Sequence, residues 1–175
     1  VTMSMASLPV EGPKISVCTP TYNRAPLLRL FLESILSQTH SDFEVVISDN
    51  CSTDGTQALV ESYADRRIRY YRNDTNIGLM PNMNRALALA RGEYVCVLHD
   101  DDVYAPEFLA RESEMLERYP NVGMVHCAFY EVDAEGSHRQ IIQVFPTTRV
   151  LPGKQEYLRY LQGHNVACSS VMARR

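Results

Sequence analysis

From Lys14 onward, short apolar runs alternate with amphipathic stretches. Lys14 to Thr19, Phe43 to Ser48 and Arg67 to Tyr71 read as strands, and Glu93 to Leu98 as a strand buried on both faces. Between them, Pro26 to Gln38 reads as a helix with proline in its first turn. Its Leu27, Leu30, Phe31 and Ile35 recur at helical spacing, so the apolar stripe from Leu27 to Leu36 is assigned to the core. Asp54 is placed as the cap of a second helix carrying Leu59, Val60 and Tyr63. Pro81 to Ala90 forms a third helix, stopped by Gly92, and Pro106 to Tyr119 a fourth. Val122 to Val132 begins a further strand, and residues 1–13 read as a loose arm. Strict alternation of strand and helix predicts an α/β fold with a mostly parallel sheet covered by helices. Ligands of such sheets bind outside the carboxyl ends of the strands.

Composition narrows the classes. The chain has 175 residues, 45% hydrophobic and 22% charged, which suits one domain with a real core. No apolar run approaches the roughly 18 residues of a spanning helix, so no transmembrane segment is expected. Val1 to Gly12 shows neither the basic nor the apolar region of a signal peptide. A net charge of -4 argues against a general nucleic-acid binder. The five cysteines form no CxxC; Cys18, Cys96 and Cys127 sit in apolar runs and read as buried free thiols of a reducing compartment. Without a secretion signal, the N-x-S/T matches at Asn50 and Asn73 carry no weight. Arg66, Arg67, Arg69 and Arg72 form a basic cluster in which Arg67 and Arg69 share one strand face, read as solvated rather than as an anion site.

Three strand ends carry polar residues beyond what turns require. The first runs from Thr19 through Pro20, Thr21, Tyr22 and Asn23 to Arg24, with no glycine. Both a dinucleotide fingerprint and a P-loop are therefore excluded there. The second places Asp49 directly after an apolar strand, where a carboxylate can accept a ring N–H or hydroxyl hydrogen bond. The third sets His99, Asp100, Asp101 and Asp102 after Val95 to Leu98. Three adjacent carboxylates repel one another unless a cation or ligand offsets them, and oxygen donors suit Mg²⁺ or Mn²⁺. Asp102 has a competing reading as the cap of the following helix.

Taken in order, these segments resemble the family 2 glycosyltransferases of the GT-A fold. The residues that carry the resemblance are Ile15 to Arg24, Ser34 to Thr39 with Asp42 to Glu44, and Asp49 to Thr56. Asn76 to Gly78, Ala90 to Tyr94, Leu98 to Asp102 and Pro106 complete the set, which spans residues 14–130. The resemblance implies a donor-binding subdomain over 14–125 and the incomplete start of an acceptor-side subdomain over 126–175. It implies a nucleotide-diphospho-sugar donor, UDP- or dTDP-linked in preference to guanosine, and a saccharide or lipid-linked acceptor. Pro20, Thr21 and Tyr22 would pack against the base, Asp49 would bind its polar edge and Asp100 the ribose. Asp101, with Asp102, would hold Mn²⁺ or Mg²⁺. The implied reaction inverts the anomeric carbon, in the setting of cell-envelope or polysaccharide synthesis, cytoplasmic or peripheral at the cytoplasmic membrane face.

Three departures stand out. His99 occupies the first position of the family's Asp-x-Asp-Asp, and Met83 stands where an arginine often precedes Asn84, leaving Arg85 as the substitute at the phosphates. The Glu-Asp element that usually supplies the base is expected beyond Arg175. Asp133 and Glu135 read as hairpin residues beside Gly136, and His164 as incidental. Two other functions remain open: a nucleotide-sugar binding module without transferase activity, and a sugar-phosphate nucleotidyltransferase. The second would need a glycine-rich loop after the first strand.

Overall fold

A computed structural model describes residues 12–133, 136–155 and 167–175. Residues 1–11 of the expected arm, Glu135 and His164 lie outside them. The main sheet comprises β1 (Ile15–Thr21), β2 (Phe43–Asp49), β3 (Ile68–Arg72), β4 (Tyr94–Val97), β5 (Met124–His126) and, last in the chain, β8 (Val171–Arg174). Its order is β3-β2-β1-β4-β8-β5. The first four strands are parallel, and β8 runs antiparallel between β4 and β5. A separate hairpin pairs β6 (Phe129–Val132) with β7 (His138–Ile142).

Helices α1 (Ala25–Leu36), α2 (Thr56–Ser62), α3 (Leu79–Ala88) and α4 (Phe108–Arg118) cover the sheet. One face packs Ile15, Val17, Val45, Ile47, Tyr94, Cys96 and Leu98 against α1, α2 and α4. The other packs Cys18 and Val46 against Ala86 and Ala90 at α3. Every residue of β1 and β2 is buried, as strands covered on both faces must be.

Several expectations need correction. The buried stripe of α1 is Leu28, Phe31, Leu32 and Ile35, whereas Leu27 and Leu30 are 40% and 51% exposed. The i, i+3, i+4, i+7 set of a 3.6-residue helix is the one that begins at Leu28. β4 is fully buried only through Tyr94 and Cys96; Val95 and Val97 are half-buried. The single strand expected over Val122 to Val132 breaks at Cys127 and Ala128, because β5 joins the main sheet and β6 the hairpin. Of the cysteines expected to be buried, Cys18 and Cys96 are, while Cys127 is only partly covered; all five are free.

Gly92 does more than end a helix. A Cβ on it would lie 2.6 Å from the Ser16 backbone nitrogen and 2.8 Å from the Ile15 carbonyl carbon. The chain entering β4 therefore crosses β1 at a distance only glycine permits. Within the basic cluster Arg66 and Arg72 are exposed, but Arg67 and Arg69 do not form a shared solvated face. Arg69 bonds the buried carboxylate of Glu44 at 2.8 Å, and Arg67 precedes β3, pairing with Asp65 and stacking over Phe43. Asn50 and Asn73 are 4% and 2% exposed, with their side-chain amides joined to each other at 3.0 Å.

Candidate functional site

Strand order 3-2-1-4 reverses direction between β1 and β4, and the carboxyl ends of those two strands form the switch-point crevice of an open α/β sheet. The sequence places its polar residues there. Thr21 is the register partner of Asp49 on β2. On the other side Cys18 pairs with Val97, and continuing that register brings Asp100 level with Thr21. Since side chains alternate along a strand, Thr21, Asp49 and Asp100 share the face that carries Val17, Ile47 and Leu98. Pro20 is buried in the strand opposite Ser48, and Tyr22 follows at 44% exposure.

Asp49 is 1% exposed. Its Oδ1 accepts from the Ser52 amide at 2.9 Å and the Ser52 hydroxyl at 2.5 Å. Its Oδ2 accepts from the Tyr70 hydroxyl, with Arg72 Nε 3.8 Å away. Burial and the adjoining carboxylate together push the Tyr70 hydroxyl well above the usual phenol range.

The loops after β1 and β2 are cross-tied. Asn23 adopts a left-handed conformation (φ 52°), which asparagine tolerates. Its side chain accepts from the Thr53 amide at 2.7 Å, and its own amide donates to Ser52 Oγ at 2.9 Å. Asp54 is not the expected N-cap of α2, which is Gly55; it lies one residue before and serves two helices. Its Oδ2 accepts from the Ala25 amide at the start of α1, and its Oδ1 from the amide and hydroxyl of Thr56 at the start of α2.

The third strand end is the acidic turn. His99, Asp101 and Asp102 each offer a ligand atom, all within 4.8 Å of one another. Asp102 does not cap α4, whose N-cap is Glu107. Asp100 is buried. Burial pushes its carboxyl up and the Asp101 charge adds to this, while Thr21 and Arg24 oppose the shift. The buried Thr21 hydroxyl completes no hydrogen bond of good geometry, and Asp100 Oδ2 has no partner. Arg24, half-exposed, reaches over from the start of α1. Its Nη1 lies 3.2 Å from Asp100 Oδ1 and 2.8 Å from Asp101 Oδ2.

Arg85 is not at this turn's carboxylates. It donates to Oδ1 of Asn73, within a buried network at the ends of β2 and β3. Asn82 Oδ1 accepts from Ser48 Oγ and Asn73 Nδ2, and Asn50 Oδ1 accepts from Asn73 and the Ile77 amide. The site thus includes residues to which the sequence alone assigns no role in it. Arg24 and His99 at the acidic turn, and Tyr70 and Arg72 at Asp49, lie next to the assigned groups only through tertiary pairing. A cation just past β1 and a histidine opening an acidic run were the available signals.

Sheet order, switch point and acidic turn together define the class: the GT-A fold. The chain belongs to glycosyl transferase family 2, whose family model matches residues 16–175. It is 38% identical over 112 residues to WcaA of Escherichia coli K12, named as a colanic acid biosynthesis glycosyl transferase; the match covers 61% of this chain and 40% of WcaA. Staphylococcus aureus TarS, solved with UDP, superposes with a TM-score of 0.65 at 29% identity, over 73% of this chain and 38% of that one. The mannosyltransferase PcManGT from Pyrobaculum calidifontis, solved with GDP-Man and Mn²⁺, gives 0.60 at 34% identity, over 68% and 36%. The chain spans less than half the length of these relatives. Among the described residues no helix is long and apolar enough to cross a membrane.

Proposed function

We propose that this chain forms the donor-binding part of an inverting, metal-dependent glycosyltransferase that moves a sugar from a nucleotide diphosphate to an acceptor hydroxyl. The observation that carries the reading is the row Asp49, Thr21 and Asp100 across the switch point, with the donor atoms of His99, Asp101 and Asp102 gathered within 4.8 Å beside it. Pro20, Thr21 and Tyr22 form the wall against which the base packs. Asp49 receives the ring N–H: a carboxylate offers about four acceptor sites, and Ser52 and Tyr70 use three of them. A base presenting N–H beside a carbonyl fits this arrangement, and uridine or thymidine is preferred. Asp100, with a buried unpartnered oxygen, receives the ribose hydroxyls. Arg85, which donates to Asn73 rather than to the acidic turn, is kept only as the phosphate contact that the family resemblance implies.

The two carboxylates fit Mn²⁺ or Mg²⁺, which take oxygen ligands and retain open positions for substrate, and the imidazole of His99 favours Mn²⁺ of the two. A divalent ion held there would stabilise the charge that develops on the diphosphate leaving group. The protein's own contribution is positional: cross-tied loops set the base and ribose contacts so that little ordering remains for donor binding. No residue of this chain is assigned as the base that deprotonates the acceptor. The colanic acid biosynthesis named for WcaA supports a saccharide acceptor; a lipid-linked acceptor and a place at the cytoplasmic membrane face belong to the same proposal.

A thermal-shift panel tests the reading. UDP, dTDP, GDP, ADP and UDP-sugars are compared with and without Mn²⁺, since a ligand at 100 times its Kd stabilises by about 2.7 kcal/mol. A shift that needs diphosphate and metal, and disappears in Asp101→Ala, is expected. Absence of any nucleotide-induced shift under all metal conditions would overturn the assignment.

A further inference from the structure

We infer that Arg24 is a resident counter-cation for the acidic turn, which a divalent ion must displace from Asp101, so that Arg24 sets the metal affinity of the free protein. The inference rests on the reading of His99, Asp101 and Asp102 as a cation site and concerns what occupies it between turnovers.

The geometry carries it in three parts. First, one guanidinium nitrogen bridges carboxylates of two successive residues, at 3.2 Å to Asp100 and 2.8 Å to Asp101. Second, Asp101, whose carboxylate Arg24 contacts through Oδ2, also supplies a ligand atom to the cluster with His99 and Asp102. A cation bound at that carboxylate competes with the guanidinium for its charge. Third, Asp100 is 4% exposed, and its Oδ2 has no protein partner. Arg24 is the cation in contact with this buried carboxyl, and removing it leaves a buried acidic group without an ion-pair partner.

Arg24 stands at the hinge between β1 and α1, and its side chain is 49% exposed. It can leave the carboxylates without unpacking the core. Without it, Asp100 and Asp101 would face each other uncompensated beside Asp102, at a cost in repulsion and desolvation. The arginine thus keeps the metal-free turn folded and makes metal binding an exchange of cations rather than an addition.

The test is a Mn²⁺ titration of the nucleotide-free protein, read by the electron paramagnetic resonance signal of free Mn²⁺. Wild type, Arg24→Gln and Asp101→Ala are compared. A half-exposed ion pair is worth up to about 1 kcal/mol, which converts to roughly fivefold in affinity. Arg24→Gln is expected to bind Mn²⁺ about three- to tenfold more tightly than wild type, with unchanged stoichiometry. Equal or weaker binding overturns the inference while leaving the cation site intact. Wild type that binds no Mn²⁺, or Asp101→Ala that binds it unchanged, removes the cation site and the inference together. If Arg24→Gln does not fold, Arg24→Met, which keeps an unbranched stem but removes the charge, is read the same way: tighter binding supports the inference and equal or weaker binding overturns it.

Discussion

Tyr70 on β3 donates its hydroxyl to Oδ2 of Asp49 on the neighbouring strand β2, closing a carboxylate that is 1% exposed. The two residues are 21 positions apart and meet because β2 and β3 run parallel with Ile47 opposite Tyr70. Removing this donor leaves a buried charged acceptor short of one partner, at a cost of about 1–3 kcal/mol. Tyr70→Phe should lower the unfolding free energy by that amount, seen as a lower urea midpoint with an unchanged slope. It should also free an acceptor site on Asp49, so uridine-nucleotide affinity at saturating metal should not fall. A loss of affinity equal to that of Asp49→Ala would show that Tyr70 itself contacts the base.

Asp54 joins the amino ends of α1 and α2. Burial acts to raise its carboxyl, but hydrogen bonds from Thr56 and the Ala25 amide outweigh this and hold it low. Asp54→Ala removes the side-chain acceptor of the first amide of both helices. Their N-cap residues, Arg24 and Gly55, make no side-chain cap bond, and a bond of this capping kind contributes about 1 kcal/mol. The variant should unfold earlier than a single-cap loss predicts. Because the carboxyl is depressed in the folded state, its contribution is present above the unfolded value and is lost as pH falls through the folded one. Wild type and variant should therefore converge in stability in acid, as followed by chemical denaturation across pH.

Glu112 on α4 is 6% exposed and its Oε2 has no partner. Burial alone pushes its carboxyl from 4.5 to about 8. Cys96 and Cys127 lie close enough for its charge to raise both thiols further. The sign follows from linkage. Between pH 4.5 and about 8 the unfolded chain is ionised while the folded carboxyl holds its proton, so stability falls as pH rises through that window and levels off above it. Glu112→Gln keeps the shape and removes the titration. Its stability should exceed wild type at pH 8, match it near pH 4, and show a flatter profile between.

Gly92 cannot carry a side chain without moving β1. Gly92→Ala drives a methyl group against the backbone of Ile15 and Ser16, and overpacking of this kind costs about 1–3 kcal/mol. Thermal unfolding should show a clear drop. Gly55→Ala, where a Cβ meets nothing within 4 Å, should leave stability nearly unchanged.

Much of this was readable along the chain. Apolar runs separated by amphipathic stretches specify β1 to β4 and the four helices to within a few residues, because local periodicity records which face each element buries. The acidic turn at His99 to Asp102 and the polar turn at Asp49 were legible for a related reason. Carboxylates abutting a buried strand are costly, and their position after the strand marks the ligand-binding end. The α1 stripe was misassigned because its leucines at 27, 28, 30 and 32 fit more than one helical face, and only packing chose Leu28 and Leu32.

The sequence by itself determined the alternation of elements, the parallel sheet and the three strand ends that hold the candidate site. Tertiary structure alone decided who meets whom there. β8, a four-residue strand at 171–174 with no distinctive pattern, lies antiparallel between β4 and β5, where Arg174 donates to the backbone of Val122. Arg24 reaches Asp100 and Asp101, 76 and 77 residues away, and Tyr70 reaches Asp49. Periodicity encodes which face of an element is buried, but not which distant charge or donor satisfies a buried acceptor. That pairing is set by strand order and register, which form only when the whole sheet closes around its core.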